Sequence, residues 1–201
     1  MPNKIKRDVE LLYEVGCLRN VMRTWKHFLN PDVQNVAEHS FRVAWIALTL
    51  AKYEGKGSHE KIMKLALLHD LTESRTGDVN YISRQYVKRD EELAVRDIFF
   101  DTVHEKEMID LLKEYEERKS IESRIVKDAD NIDVDMELQE MHAKGCSLGR
   151  IWKKKREELV YPEFFTKSAQ KFWKSVYASD PHDWHNVSAR NRFESGDWKK
   201  K

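Results

Sequence analysis

The sequence predicts an all-α fold. Glycine and proline, which interrupt helices, number only seven and four in 201 residues, below their average usage. No segment shows the alternation of apolar and polar residues that is typical of a half-buried strand. Apolar residues recur instead at spacings of three and four, as on one face of a helix, for example at Ile62, Leu65 and Ala66.

The length and composition indicate one domain. A chain of 201 residues with 40% hydrophobic content can bury a sizeable core, and no composition shift marks a second domain. We expect a single helical domain over residues 1–179 and a tail of uncertain order over residues 180–201. The tail mixes polar residues with Trp184, Phe193 and Trp198. It is either partly ordered or packs on a partner subunit or on the mouth of the site.

The charge balance argues against nucleic acid and membranes as partners. Lys and Arg number 36 and Asp and Glu 35, so the net charge is near +1. Apolar runs such as Val43–Ala51 are far shorter than the roughly 18 to 20 residues of a membrane span. Residues Met1–Glu10 lack the apolar core of a signal peptide, and only Cys17 and Cys146 are cysteines. We therefore expect a cytoplasmic protein without disulfides.

The first helices follow from local signals. Apolar spacing predicts an opening helix over Lys6–Asn20, and the segment Arg19–Asp32 looks irregular. Asn35 followed by Glu38 has the chemistry of a capping box, which predicts the start of a helix over Val36–Tyr53.

The remaining elements are also predicted as helices. Ser58 is an N-cap candidate for a helix that ends near Leu71, and Thr72–Ser83 resembles a loop. Later helices are predicted over Arg84–Thr102, Glu105–Lys119, Ile121–Lys144, Leu148–Leu159 and Glu163–Ala178. Pro162 suits the first position of the last of these helices.

Histidines and aspartates on three of these helices suggest a metal site. The candidates are His39, the doublet His69 and Asp70, and one aspartate from the later helix. Two imidazoles and two carboxylates suit Mn²⁺, Co²⁺, Fe²⁺ or Zn²⁺ and leave coordination positions open, as hydrolysis requires. A lone histidine in an apolar helix is more often a hydrogen-bonded core residue. The adjacent Asp70 favours the metal, because a carboxylate after an apolar run is costly to bury unpaired.

Helical periodicity limits the choice of the fourth ligand. At 100° per residue, Asp128 and Asp135 fall off the face formed by Ile121, Ile125, Ala129, Ile132 and Met136. Asp130 shares a second apolar stripe, and Asp133 borders both stripes. The pattern therefore admits Asp130 or Asp133.

Glu73 is a candidate proton carrier. It lies three residues after Asp70, one turn if the helix continues, which would bring its carboxylate close to a metal-bound water. The alternative is an ordinary solvated glutamate at a helix end. Asp78, after Gly77, could be a residue of the site or merely a turn or cap residue.

Four strings in this order resemble the HD-domain 5′-deoxynucleotidases. They are Ala37-Glu38-His39-Ser40, Leu67-Leu68-His69-Asp70-Leu71-Thr72-Glu73, Thr76-Gly77-Asp78 and Lys127-Asp128-Ala129-Asp130. The resemblance runs from about Arg23 to Met141. It implies an HD-domain helical bundle, a homodimer, and a metal-dependent enzyme that removes the 5′-phosphate from deoxyribonucleoside monophosphates.

The resemblance also assigns roles to residues. It implies that His39, His69, Asp70 and Asp130 hold one divalent cation, and it selects Asp130 over Asp133. Glu73 and Asp78 become catalytic residues. Arg23 and Trp25 correspond to an arginine and a tryptophan beside the phosphate and the sugar, although here Thr24 separates them.

Several alternatives stay open at this point. The substrate could be a nucleoside triphosphate or another small phosphoester, and the protein could be a regulatory module that holds a metal without turnover. Arg19 and Arg42 are further candidates for binding phosphate, and Trp25 could be a core or interface residue. A di-iron oxygenase is disfavoured, because His104 is the only histidine between the doublet and the last aspartate.

Overall fold

The structure is a computed structural model that describes residues 4–28 and 32–186. Within these ranges it contains helices, turns and one isolated antiparallel bridge between Met22 and Asn35, and no strand. The α-helices are α1 (Lys4–Cys17), α2 (Val36–Glu54), α3 (His59–Leu68), α4 (Glu73–Thr76), α5 (Glu91–Phe99), α6 (Glu105–Glu117), α7 (Ile121–Ala143), α8 (Leu148–Leu159), α9 (Lys167–Ala178) and α10 (Asp183–Asn186). Short 3₁₀ turns cover Leu18–Asn20, Thr24–His27, Ser83–Gln85 and Tyr161–Glu163. The predicted all-α fold is confirmed.

Local capping chemistry determines where α2 begins and ends. The Asn35 side chain accepts a hydrogen bond from Glu38 N, and the Glu38 carboxylate accepts one from Asn35 N, both at 3.0 Å. This is the predicted capping box. Gly55 ends the helix with a left-handed φ of +63°, a conformation that glycine adopts without steric cost.

The hydrophobic core lies where α2, α3, α7 and α9 pack together. Leu50, Leu65, Ile125 and Ile132 are fully buried there. A second apolar cluster lies between α7 and α8, and it is built on Val33, Val134, Leu138 and Met141. None of the described helices combines the length and apolarity that a membrane span needs.

Helix α7 is buried on almost every side, and this changes the interpretation of its aspartates. Asp128 and Asp135 fall off the apolar face in the sequence pattern, yet they are only 1% and 0% exposed. The Asp128 carboxylate accepts hydrogen bonds from Phe165 N and Thr166 N, each at 2.9 Å. Asp135 binds Arg156 and the hydroxyl of Tyr177 at 2.7 Å. Both aspartates therefore hold neighbouring segments against α7.

Helix α3 ends earlier than predicted. It stops at Leu68 rather than near Leu71, because the chain tightens into a turn with hydrogen bonds from Leu71 N to Leu68 O at 2.9 Å and from Glu73 N to Asp70 O at 3.0 Å. The short helix α4 follows inside the predicted loop.

Two helices also begin later than predicted. Helix α5 begins at Glu91 rather than at Arg84, because the Asp90 side chain caps it by accepting from Leu93 N at 2.9 Å. Helix α9 begins at Lys167 after the N-cap Thr166, and Pro162 lies in the preceding 3₁₀ turn.

The structure describes the beginning of the tail, for which the sequence predicted no element. Asp183–Asn186 form the short helix α10, where the sequence allowed no assignment. Phe193 and Trp198 lie outside the described residues.

Candidate active site

Four predicted ligands meet at one point of the bundle. Nε2 of His39 lies 3.2 Å from Nε2 of His69, 3.4 Å from Oδ2 of Asp70 and 3.3 Å from Oδ1 of Asp130. The ligand atoms of His39, His69 and Asp70 all lie within 4.8 Å of one another. The other carboxylate oxygen of Asp130 accepts from Lys127 Nζ at 2.7 Å. The structure thus brings together the four residues that the family resemblance implied as ligands.

Two helices and one turn position these side chains. His39 lies in the first turn of α2, directly after the capping box, and Asp130 lies in the buried middle of α7. His69 and Asp70 occupy the tight turn after α3. Their adjacent side chains reach the site because the helix ends before them.

Hydrogen bonds orient both imidazoles so that their Nε2 atoms face the site. Nδ1 of His69 lies 2.8 Å from the carbonyl oxygen of Ala66, which can only accept, so Nδ1 of His69 carries the proton. Nδ1 of His39 lies 2.6 Å from Oδ2 of Asp133 and likewise donates to a carboxylate. In the neutral ring of each histidine, Nε2 is therefore a lone-pair donor suited to a metal.

The electrostatics of the cluster fit a bound cation. Burial and the charge of Arg23 oppose protonation of His39, but hydrogen bonds to Asp130, Asp133 and Asp70 outweigh them and hold the pKa of His39 well above its usual range. An arrangement that stabilises a proton on Nε2 would also stabilise a divalent cation.

The distances between the proposed ligand atoms also suit a bound metal ion. Ligand atoms at about 2.0 to 2.2 Å from a shared ion lie about 3 to 3.5 Å apart, which matches the separations from His39 Nε2. The residues present therefore suit a metal of the predicted kind.

Glu73 is buried beside the cluster, which excludes the alternative of a solvated helix-end glutamate. Its Oε1 lies 3.4 Å from Nη1 of Arg89, and its buried Oε2 has no hydrogen-bond partner within the described residues. Burial raises the pKa of Glu73 to about 9, together with the negative charges of Asp70 and Asp78 and against Arg23 and Arg89. Such a carboxyl can hold a proton at neutral pH.

Arg23 and Asp78 form a buried pair next to Asp70. Nη1 of Arg23 lies 3.1 Å from both Asp70 Oδ2 and Asp78 Oδ2. Asp78 also accepts from Thr24 N at 2.9 Å. Asp78 therefore fixes the segment that carries Arg23, across 54 residues of sequence.

Trp25 lies between the site and the second apolar cluster. It is half-buried, it lines the pocket, and its ring centroid lies 4.9 Å from that of Trp152. The sequence left two roles open for Trp25, a residue of the site or a residue of the core. In the structure, Trp25 both lines the pocket and packs against the second apolar cluster.

A pocket of about 420 Å³ opens beside the cluster, a size that is typical of small-molecule sites. His69, Asp70, Glu73 and Asp130 lie in its wall. Besides Arg23, the wall carries several cationic side chains, namely Arg84, Arg89, Arg118, Lys127 and Arg156. Six acidic side chains line the same wall, so the pocket offers an anionic ligand cationic partners without an excess of positive charge.

Several pocket residues were missed in the sequence, among them Lys127 and Arg89, and two candidates lie elsewhere. Lys127 could have been found from the sequence, because it precedes Asp130 by three residues on the same helix. Arg89 could not, because it comes from an irregular segment. Arg42 points away and binds Asp133 and Glu140, and the exposed Arg19 is absent from the pocket wall.

An all-α bundle that gathers two histidines and two aspartates from three packed segments defines a helical metal-binding domain. The chain belongs to the HD-domain family, whose family model matches residues 15–175.

Curated relatives carry the name of one activity. The chain is 31% identical over 164 residues to the 5′-deoxynucleotidase HDDC2 of Danio rerio, covering 79% of this chain and 76% of that protein. It is 29% identical over 176 residues to the protein of the same name from Dictyostelium discoideum, covering 82% and 89%.

Solved structures support the same fold. A conserved hypothetical protein from Pyrococcus furiosus aligns with a TM-score of 0.70 and 26% identity over 85% of this chain and 99% of that chain. The cyanophage S-2L HD phosphohydrolase DatZ, solved with dA and one catalytic Zn²⁺, aligns over 83% of this chain and 96% of that chain, with a TM-score of 0.55 and 18% identity. At that identity, DatZ supports the fold alone.

Proposed function

We propose that this protein removes the 5′-phosphate from deoxyribonucleoside monophosphates with one divalent metal cation. The observation that carries the proposal is the meeting of His39, His69, Asp70 and Asp130 beside the buried Glu73, in a pocket whose wall also carries several arginines. Relatives named 5′-deoxynucleotidase, at 31% and 29% identity over most of the chain, support the substrate class.

The metal would be held by His39, His69, Asp70 and Asp130. Two imidazoles beside two carboxylates favour Mn²⁺, Co²⁺, Fe²⁺ or Zn²⁺ over Mg²⁺ and Ca²⁺, which prefer all-oxygen shells. When bound, such a cation lowers the pKa of water and polarises a phosphoryl oxygen.

Arg23 is the proposed partner of the substrate phosphate. Its guanidinium is buried at the pocket wall, and Nε has no hydrogen-bond partner among the described residues. Asp70 and Asp78 hold Nη1 and so orient the plane of the group. A guanidinium oriented in this way can present parallel donors to phosphoryl oxygens. In this proposal Asp78 acts by positioning Arg23.

Glu73 is the proposed proton carrier. Hydrolysis forms a bond from the water oxygen to phosphorus and breaks the bond from phosphorus to the 5′ oxygen. Oε2 of Glu73 donates a proton to the leaving 5′ oxygen, and the proton lost by the water restores the carboxyl. A cation held by Asp70 would offset one of the charges that raise the pKa of Glu73 and bring it towards neutrality, where proton transfer is most effective.

Trp25 is the proposed wall of the sugar site. Packed against Trp152, the indole presents a fixed apolar surface to the pocket. An apolar surface disfavours an added 2′-hydroxyl by leaving it without a partner, which typically yields about a hundredfold discrimination.

A metal-supplemented screen of nucleoside mono-, di- and triphosphates tests the proposal. We expect phosphate release from deoxyribonucleoside monophosphates, dependent on added metal and lost in Glu73→Gln. Faster release from triphosphates would favour the triphosphate hydrolase. Metal binding without turnover of any nucleotide would favour a regulatory module.

We further propose that the protein acts in the cytoplasm as a homodimer. Both cysteines, Cys17 and Cys146, are unpaired thiols, as expected in a reducing compartment. Phe41 and Trp45 are 66% and 61% exposed one turn apart on α2, which offers an apolar face to a second copy. Light scattering on Trp45→Glu against the wild type tests the assembly, because a monomeric variant is expected.

A further inference from the structure

The carboxylate of Asp133 lies directly behind the imidazole of His39. Asp133 is 0% exposed, and its Oδ2 lies 2.6 Å from His39 Nδ1 and 2.5 Å from Gln34 Nε2. Its Oδ1 accepts from Nε of Arg42. An uncompensated carboxylate at this depth would be costly, and these three donors compensate it.

The partners of Asp133 are held in turn from outside the site. Arg42 Nη1 donates to Glu140 at 2.7 Å, and the backbone N of Gln34 donates to Glu137 at 2.8 Å. The carboxylate is therefore fixed from two directions, and its position relative to the His39 ring is fixed with it.

We propose that Asp133 is a positioning residue that keeps the proton of His39 on Nδ1 and so keeps Nε2 available as a metal ligand. The proposal rests on the proposed metal site. A carboxylate behind a metal-binding imidazole fixes its tautomer and ring orientation and makes the facing nitrogen more basic. The sequence pattern admitted Asp133 as a ligand itself. Its place on the far side of the His39 ring gives it this different role.

Asp135 shows that burial of an aspartate on α7 does not by itself imply this role. It is equally buried at 0% exposure and binds Arg156 and Tyr177, with no contact to His39 or His69. Asp133→Asn and Asp135→Asn therefore form a matched pair. Each removes one buried negative charge from the same helix and preserves the size of the side chain.

The test measures metal affinity without substrate. Zn²⁺ is titrated into the wild type, Asp133→Asn and Asp135→Asn in competition with a chromophoric chelator, and thermal unfolding is recorded for each. We expect Asp133→Asn to weaken Zn²⁺ binding by about tenfold to a hundredfold, the usual effect of losing such a carboxylate. We expect Asp135→Asn to lose stability and keep its Zn²⁺ affinity.

A spectroscopic measurement covers the case in which Asp133→Asn does not fold. In the Zn²⁺-loaded wild type with ¹⁵N-labelled histidine, His39 and His69 should each show a proton bound to Nδ1. His69 is the internal control, because its Nδ1 donates to Ala66 O. In a folded Asp133→Asn, only the His39 signal should shift or disappear.

The outcomes separate this proposal from the proposed function. Equal Zn²⁺ affinity of Asp133→Asn and wild type would overturn the role of Asp133 alone. A His39 ring protonated at Nε2 in the loaded wild type would overturn both that role and His39 as a metal ligand. A wild type that binds no Zn²⁺ would overturn both. Zn²⁺ binding that depends on Asp133, without hydrolysis of any nucleotide, would support Asp133 and contradict the proposed activity.

Discussion

Nη1 of Arg89 lies 3.4 Å from Oε1 of Glu73, so a cation that opposes protonation of this buried carboxyl, in addition to Arg23, comes from the irregular segment before α5. Arg89 also donates to the carbonyl of Gly77 at 3.3 Å. It therefore ties the segment after α4 to the proposed proton carrier.

Arg89→Met should extend activity to higher pH. The proposed acid is the protonated form of Glu73, so activity is present below the pKa of Glu73 and is lost as the pH rises through it. Removing the neighbouring positive charge raises that pKa, and the alkaline limb of the kcat profile should move upwards. Arg96→Met, an exposed arginine paired with Glu92 on α5, is the control for general charge loss. A profile that moves downwards would contradict the assignment of Glu73 as an acid.

Glu73→Gln should keep its metal and lose at least about a hundredfold in kcat, the usual scale of a lost general acid or base. Glutamine matches the size of the side chain but cannot donate the proton of a carboxyl group. Phosphate release at saturating metal, read beside the metal content of the purified protein, gives the answer. Turnover within a few-fold of wild type would remove Glu73 from the chemistry.

His69→Ala should abolish both metal retention and turnover. The imidazole of His69 supplies one of the proposed ligand atoms. Without it, one histidine and two aspartates remain, and this set binds the proposed metals less tightly than the full set. Elemental analysis measures retention, and far-UV circular dichroism confirms that the helices persist. A folded, fully loaded variant would reject His69 as a ligand.

Asp128→Ala should destabilise the protein while its metal remains bound. The substitution deprives Phe165 N, Thr166 N and the Thr166 hydroxyl of a shared acceptor. Each buried donor left without a partner costs about 1 to 3 kcal/mol, so the free energy of unfolding should fall by several kcal/mol. Urea denaturation measures the loss, and zinc titration at low temperature checks the site. A stability equal to that of wild type would show that the 164–166 segment is held by other contacts.

Trp25→Ala should raise the ratio of ribo- to deoxyribonucleotide hydrolysis and also lower stability, because Trp25 belongs to the pocket and to the second apolar cluster. The expected loss is about 3 kcal/mol or less, the lower end for truncating a large aromatic residue, since Trp25 is only half-buried. Trp152→Ala is the matched control, because Trp152 packs on Trp25 outside the pocket wall. Equal substrate ratios in both folded variants would remove Trp25 from the sugar site.

The features that could be predicted from sequence are those with local causes. The start of α2 follows from the capping box of Asn35 and Glu38, two residues one turn apart. Helix α8 was predicted with its observed bounds, Leu148–Leu159. The His69 and Asp70 doublet is adjacent in sequence, so its pairing needed no knowledge of the fold.

The features that escaped prediction depend on partners that are distant in sequence. Asp78 looked like a turn residue because its partner Arg23 lies 55 residues earlier. Helix α5 is an exception, because its N-cap Asp90 is a local signal that the prediction missed. Asp133 could not be separated from Asp130 by periodicity, because the difference lies in which side of the His39 ring each one faces.

The buried carboxylates of helix α7 bind partners from separate parts of the chain. The partners of Asp128 lie in the segment before α9, those of Asp133 are Gln34 and residues of α2, and those of Asp135 lie in α8 and α9. No single neighbour can detach without leaving a buried negative charge uncompensated. Because each of these segments is bound to α7, we expect them to separate from α7 together rather than one at a time. The amide protons in the middle of α7 should accordingly exchange with solvent deuterium only through global unfolding, with one common free energy of opening.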